Sequence, residues 1–208
     1  MPVEYTQEFW DDRYRQRTRI WSGKPNTQFV AIAEELPPGH ALDVGCGEGA
    51  DAVWLASRGW TVLGVDVSEV ALDRARDHAA GLEAEIGERL DWRQVDLLAA
   101  PELPRQLDLV SVQFMHLPEP QHSRVMRDLA ALVGVGGSLL VVAHDPSDLH
   151  AGVGRPHEPD LFHTAEQIAS LLDDTWEIRS CESRPRVEQK DGREHHISDA
   201  VVHAVRTR

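Results

Sequence analysis

Three aspartates, Asp43, Asp66 and Asp96, each close an apolar run, and the first stands directly before a glycine-rich turn, Val44-Gly45-Cys46-Gly47-Glu48-Gly49-Ala50. Glycines at alternate positions let a chain turn sharply and leave no side chains between the backbone and a ligand. The spacing of Gly45, Gly47 and Ala50 satisfies the permissive G-x-G-x-x-G/A pattern of dinucleotide sites. Such a site places a pyrophosphate at the helix N-terminus, where peptide dipoles favour negative charge. Asp43 and Glu48 oppose that arrangement, so a ligand with a cation and no phosphate is the better electrostatic match.

S-adenosyl-L-methionine meets that description, since it carries an ammonium and a sulfonium, and its carboxylate can use N–H groups left free at the turn. The run Trp60-Thr61-Val62-Leu63-Gly64-Val65 ends at Asp66, 23 positions after Asp43. A carboxylate at that offset reaches ribose hydroxyls in a βαβ nucleoside site. Leu90-Asp91-Trp92-Arg93-Gln94-Val95 ends at Asp96, placed to accept from an adenine amino group.

These residues resemble the class I S-adenosylmethionine-dependent methyltransferase superfamily: the glycine motif Leu42 to Gly49, the ribose motif Val65-Asp66-Val67-Ser68, and Asp96-Leu97. The resemblance runs from about Phe9 to Val205. Phe9-Trp10, Arg13-Tyr14, Trp21 and Pro25-Asn26 resemble the small tellurite-resistance and thiopurine-methyltransferase-like branch. It implies a Rossmann-like three-layer α/β sandwich with a seven-stranded, mostly parallel sheet and an antiparallel last strand. It implies a single methyltransferase domain over 1–208, with 1–38 as an N-terminal helical lid. The cofactor set it implies is Trp21, Asp43, Gly45, Cys46, Gly47, Asp66, Val67, Asp96, Leu97 and Gln113, with Tyr14 or Trp21 against the methionine portion.

Composition narrows the partners. A chain of 208 residues is one domain by the usual size prior. A net charge of −14 argues against a nucleic-acid partner, because phosphate backbones demand a basic footprint. A small-molecule acceptor, or an inorganic anion, is expected instead. Cys46 and Cys181 give no disulfide framework, and Cys46 reads as a small turn residue. No apolar run has the form of a signal peptide or approaches membrane-spanning length, so a cytoplasmic protein is expected.

The elements that must position these residues alternate along the chain, as in an α/β sheet. Helices are expected near 6–17, 26–35, 50–58, 68–80, 120–133 and 164–172, with Ser68 and Thr164 as N-caps. Strands are expected at the three Asp-ending runs, at 107–114, at 138–143, and near 176–181 and 197–205, with the glycines at 134–137 ending a helix. Ligands in such sheets sit beyond the carboxyl ends of the strands. That brings the residues from Gln113 to His116, and His144, to the same crevice as the three aspartates.

His116 and His144 are the candidate catalytic residues, because imidazole can take a proton from a hydroxyl or thiol acceptor near neutral pH. An anionic acceptor needs no base. The Asn/Asp-Pro-Pro-aromatic motif of nucleobase-methylating relatives is missing after strand four, which argues against amino methylation. His144, His150, His157 and His163 cluster in one segment, but paired-Cys and i, i+4 His spacings are absent, and no metal is expected. A nicotinamide oxidoreductase and a cofactor-binding protein without turnover are the competing readings.

Overall fold

The computed structural model describes residues 5–16, 23–149, 158–190 and 192–208. In chain order the elements are α1 (Gln7–Arg15), α2 (Thr27–Ala33), β1 (His40–Val44), α3 (Ala50–Ser57), β2 (Thr61–Asp66), α4 (Glu69–Ala80) and α5 (Ala84–Gly87). They continue as β3 (Leu90–Gln94), β4 (Leu107–Gln113), α6 (Gln121–Ala130), β5 (Val133–His144), α7 (Ala165–Ala169), β6 (Trp176–Lys190) and β7 (Arg193–Arg206). The sheet order is β3-β2-β1-β4-β5-β7-β6, parallel from β3 to β5, with β7 antiparallel to both its neighbours. This is the seven-stranded sandwich that the strand pattern and the resemblance imply. Among the described residues no helix is long and apolar enough to cross a membrane.

Alternate residues of the central strands feed opposite faces, which is why these strands are apolar throughout. Leu42, Val110, Leu139 and Val141 join Met126, Leu129 and Ile168 under α6 and α7. Ala41, Leu109 and Leu140 join Phe29, Ala52, Leu55 and Trp60 under α2 and α3. The polar exceptions on the central strands are therefore informative: Asp43 and Ser111 stand opposite each other on β1 and β4 in the buried sheet.

Caps close the helices where short polar side chains precede them. Ser68 accepts from Ala71 N–H, Asn26 accepts from Gln28 and Phe29, and Thr164 with Gln167 forms a capping box. Two boundaries differ from expectation. The glycines at 134–137 lie inside β5, where a Cβ on Gly137 would meet the Leu107 carbonyl at 2.5 Å and one on Gly134 would crowd the Gln106 backbone at 3.2 Å. The last two strands run far beyond their apolar cores as a ribbon whose outer half is polar, Glu182 to Lys190 on β6. A ribbon outside the core needs no apolar alternation, so its outer half carries no hydrophobic signal.

Trp92 of β3 lies beneath the glycine turn. A Cβ on Gly49 would meet its ring at 2.6 Å, and one on Gly64 would meet it at 2.5 Å. Gly49 also has φ +83°, a conformation that side chains resist. Gly49→Ala is expected to cost about 1–3 kcal/mol from overpacking alone. A urea unfolding midpoint equal to that of the native chain would refute the tight packing of turn on indole.

Candidate active site

The glycine turn leaves β1 with Gly45, Gly47 and Gly49 all at positive φ, between 53° and 83°. Gly45 is exposed, and a Cβ there would meet nothing within 4 Å, so this edge of the turn is open. The turn's donors, however, are spent within the protein. Gly45 and Cys46 N–H both donate to Val65 carbonyl, Gly47 N–H donates to Asp66 and Gly49 N–H donates to Cys46 carbonyl. Closing so tight a turn consumes its own donors, so a ligand carboxylate would have to use N–H groups other than these four.

What the turn offers instead is a group of buried carboxyls, which burial holds back from ionising unless a cation meets them. Asp43 is completely buried, and its Oδ2 has no hydrogen-bond partner. Burial raises its carboxyl pKa well above the ordinary range, and the charges of Asp51 and Asp66 raise it further, while a hydrogen bond from Ala52 N–H acts the other way. Asp51, in the first turn of α3, is pushed up to about 6 by burial, against the Asn26 N–H that it accepts at 2.7 Å. Asp66 is raised by burial too, although its two oxygens accept from Gly47 N–H and Ser68 N–H, both at 2.9 Å. Glu48 is different, because Arg74 pairs with it at 2.9 Å. Of the two acids flanking the turn, then, only Asp43 keeps an uncompensated demand for a cation.

A second acceptor shares that demand. Gln113, at the end of β4, donates through Nε2 to Ser111 Oγ at 2.9 Å, while its Oε1 is buried without a partner. Ser111 pairs with Asp43 across β1 and β4, and Gln113 stands two residues beyond it on the same face. Two orphaned acceptors therefore sit at neighbouring strand ends. Buried polar groups are rarely left so unless a ligand completes them.

Asp96 lies on the rim, exposed, and uses Oδ1 to cap the 3₁₀ turn Leu97–Ala99 through Leu98 N–H at 2.8 Å. Val67 and Leu97 flank the two strand-end acids in sequence. Cys46 is a thiol under pressure to stay neutral: burial first, then Asp66 and Asp43, raise its pKa well above the ordinary value. Trp21 lies outside the described residues, as do His150 and His157.

The two candidate histidines come together at the far side of the crevice, their ring centroids 5.4 Å apart. His116 meets Tyr5 at 6.1 Å and Trp10 at 5.3 Å, both from the N-terminal segment. His144 stacks on Phe114 at 4.6 Å and approaches Phe162 at 5.8 Å. Phe114 adopts φ 51°, a strained conformation for an aromatic residue that costs about 1–3 kcal/mol and concentrates at functional sites. Directly opposite His144 on β7 stands Asp199, wholly buried and ion-paired with Arg186 Nε at 2.6 Å. The Arg186 guanidinium also lies 5.9 Å from the Phe114 ring centroid.

The N-terminal helix is held over this region by groups that sequence reasoning did not single out. Asp11 is buried in α1 and accepts from Ser68 Oγ at 2.6 Å and Val70 N–H at 3.3 Å. Arg74 donates to Tyr14 carbonyl at 2.6 Å. Tyr5 Oη donates to Glu158 at 3.0 Å, and burial with that carboxylate raises its phenol to about 12. Asp11 and Arg74 each look like surface charges on an amphipathic helix; nothing in their own segments announces a partner. Arg186 and Asp199 lie on the ribbon whose length the sequence does not reveal.

A family described as "Methyltransferase domain" matches residues 41–137, just under half of the chain and the part that holds the turn and the first four strand ends. The ubiquinone biosynthesis O-methyltransferase of Nitrosomonas europaea is 38% identical over 143 residues, covering 61% of this chain and 58% of that protein. The chain spans about half the length of the curated relatives it matches. Among solved structures, magnesium protoporphyrin IX methyltransferase from Synechocystis PCC 6803 with bound SAH superposes with a TM-score of 0.68 at 20% identity, over 97% of this chain and 98% of that one. TehB from Haemophilus influenzae gives 0.67 at 19% identity, over 97% and 67%. Over residues 41–137 the chain is similar to the methyltransferase-domain family, and its fold is that of solved methyltransferases.

Proposed function

We propose that the chain binds S-adenosyl-L-methionine at the glycine turn and catalyses transfer of its methyl group to a hydroxyl of a small planar acceptor held beside His116 and His144. The observation that carries the reading is the pair of orphaned buried acceptors, Asp43 Oδ2 and Gln113 Oε1, in a ring of carboxyls that includes Asp51 and Asp66. An ammonium brings three donors and a positive charge to them. The pyrophosphate of a nicotinamide dinucleotide brings the opposite charge, which disfavours the oxidoreductase reading.

In this assignment Asp66 and Val67 hold the ribose, and Asp96 with Leu97 meets the adenine at the rim. Gly45, Cys46 and Gly47 shape the floor. The bound cofactor supplies an activated methyl and a good leaving group, so the protein's task is alignment, worth up to about 7–11 kcal/mol in favourable cases. α1 acts as a lid that excludes water, latched by Asp11 on Ser68 and by Tyr5 on Glu158. His144 accepts the hydroxyl proton as the new bond to oxygen forms, and Asp199 across the ribbon favours the imidazolium that results. The aromatic walls from Tyr5, Trp10, Phe114 and Phe162 suit a planar acceptor, and the O-methyltransferase relatives support a hydroxyl.

Calorimetry with S-adenosyl-L-methionine and with NADH tests the first half, and formation of S-adenosylhomocysteine across phenols, catechols, thiols and oxyanions tests the second. Binding of NADH without binding of the sulfonium overturns the cofactor assignment. Turnover of thiols or oxyanions alone overturns the hydroxyl acceptor.

A further inference from the structure

Away from the glycine turn, His122, His163 and Glu119 line a cavity of 220 Å³ with Ser123, Gln167, Ser170 and Leu171. His122 lies in the first turn of α6 and is 3% exposed; His163 stands just before α7 and is 6% exposed. Their rings stack with centroids 3.7 Å apart. Each ring presents a nitrogen without a hydrogen bond, Nδ1 in His122 and Nε2 in His163. Two buried imidazole nitrogens left without hydrogen bonds, side by side and facing a polar cavity, are an expensive arrangement unless something binds them.

One potential ligand from each of Glu119, His122 and His163 falls within 4.8 Å of the others. We infer that Glu119, His122 and His163 form a binding site for a divalent transition metal of the zinc class, bracing the acceptor side of the crevice from outside it. Imidazole and carboxylate suit zinc, and three protein ligands leave a fourth position for water. Bonds of about 2.0–2.1 Å in a tetrahedron place ligand atoms roughly 3.4 Å apart, so the rings must tilt and close by about an ångström. The cavity leaves them room.

The surrounding bonds are those that orient metal ligands elsewhere. The His163 imidazole is hydrogen-bonded to the Leu117 carbonyl while Nε2 stays open. Ser123 Oγ donates to Glu119 Oε1 at 2.7 Å, which fixes the carboxylate beside the His122 ring. Glu119 Oε1 already stands 3.5 Å from His122 Nδ1.

The position gives the metal a task. Glu119 and His122 follow the segment that carries Phe114 and His116, and His163 follows Phe162 directly. A metal bridging them would tie the segment after β4 to the segment before α7, fixing both walls of the acceptor cage while touching neither cofactor nor acceptor.

The test uses the full chain, free of any affinity tag and stripped with chelator, titrated with Co²⁺ and then with Zn²⁺. The native chain is expected to take up one equivalent of Co²⁺ with the visible absorption of a four-coordinate ion, which Zn²⁺ displaces. His163→Gln and Glu119→Gln are each expected to weaken uptake by roughly 100-fold or more. His150→Ala and His196→Ala should leave it unchanged. Glu119 is half exposed, so Glu119→Gln keeps the fold even if His163→Gln does not. No stoichiometric uptake by the native chain, uptake that survives Glu119→Gln, or uptake lost in His150→Ala or His196→Ala instead would each overturn the site.

Discussion

Asp43→Asn is expected to weaken S-adenosyl-L-methionine binding by about 1.5–3 kcal/mol, the worth of a hydrogen bond to a charged group, or roughly 10- to 150-fold in Kd. Asparagine keeps an oxygen for the Ala52 N–H and replaces the orphaned acceptor Oδ2 by an uncharged NH2 donor, which cannot accept from an ammonium. Because burial and the neighbouring acids disfavour the ionised Asp43, the neutral amide should not destabilise the free protein at pH values where that carboxyl is forced to ionise. A loss of affinity without a loss of stability separates a ligand-binding role from a structural one. Unchanged calorimetric affinity would remove the central argument for a cationic ligand.

The same residue carries a pH dependence with a defined sign. The Asp43 and Asp51 carboxyls titrate higher in the fold than in the unfolded chain, Asp51 at about 6 against an ordinary 3.8. Over the interval between folded and unfolded values the native state holds protons that the unfolded state has released, so the Asp51 contribution to stability is full at lower pH and declines as pH rises through about 6, and that of Asp43 declines in the same direction. Cofactor affinity should move the other way, rising through the same window as the ionised carboxylates meet the ammonium. Asp43→Asn should flatten both trends. Urea midpoints and binding isotherms between pH 4 and pH 7, native against variant, make the comparison.

His144→Gln is expected to lower kcat by about 10²–10⁴-fold, the usual contribution of a positioned general base, with Kd for the cofactor unchanged. His144 is favoured over His116 for this role by its strand register, which sets it directly opposite the buried Asp199. Side chains directly opposite in antiparallel strands have Cβ atoms about 4.5–5.5 Å apart. His116 instead packs among Tyr5 and Trp10, so His116→Gln should raise KM for the acceptor more than it lowers kcat. An acceptor with an already ionised hydroxyl should escape the His144 defect. Full turnover by His144→Gln with a neutral phenol would show that no base acts there.

Asp43, Asp66 and Asp96 were legible in the sequence because each lies at the end of a short apolar run, where local pattern and strand-end geometry agree. The caps at Ser68 and Thr164 were legible for the same reason: their partners lie three residues away. The ribbon's length was not, because the outer half of β6 and β7 pairs outside the core and carries no apolar alternation. Nor was the fate of the turn's N–H groups, which depends on where Val65 and Asp66 end up.

The amino-acid sequence by itself determined the strand–turn–helix unit, the order of the elements and the sign of the charge at the turn, since all three follow from residues close together along the chain. Tertiary structure alone decided that Glu48 is neutralised by Arg74 while Asp43 is not, and that His144 stands opposite Asp199. It also stacked His122 on His163, 41 positions further along. Those pairings arise from packing distant segments against one sheet. No local periodicity encodes which buried group finds a partner and which is left waiting for one.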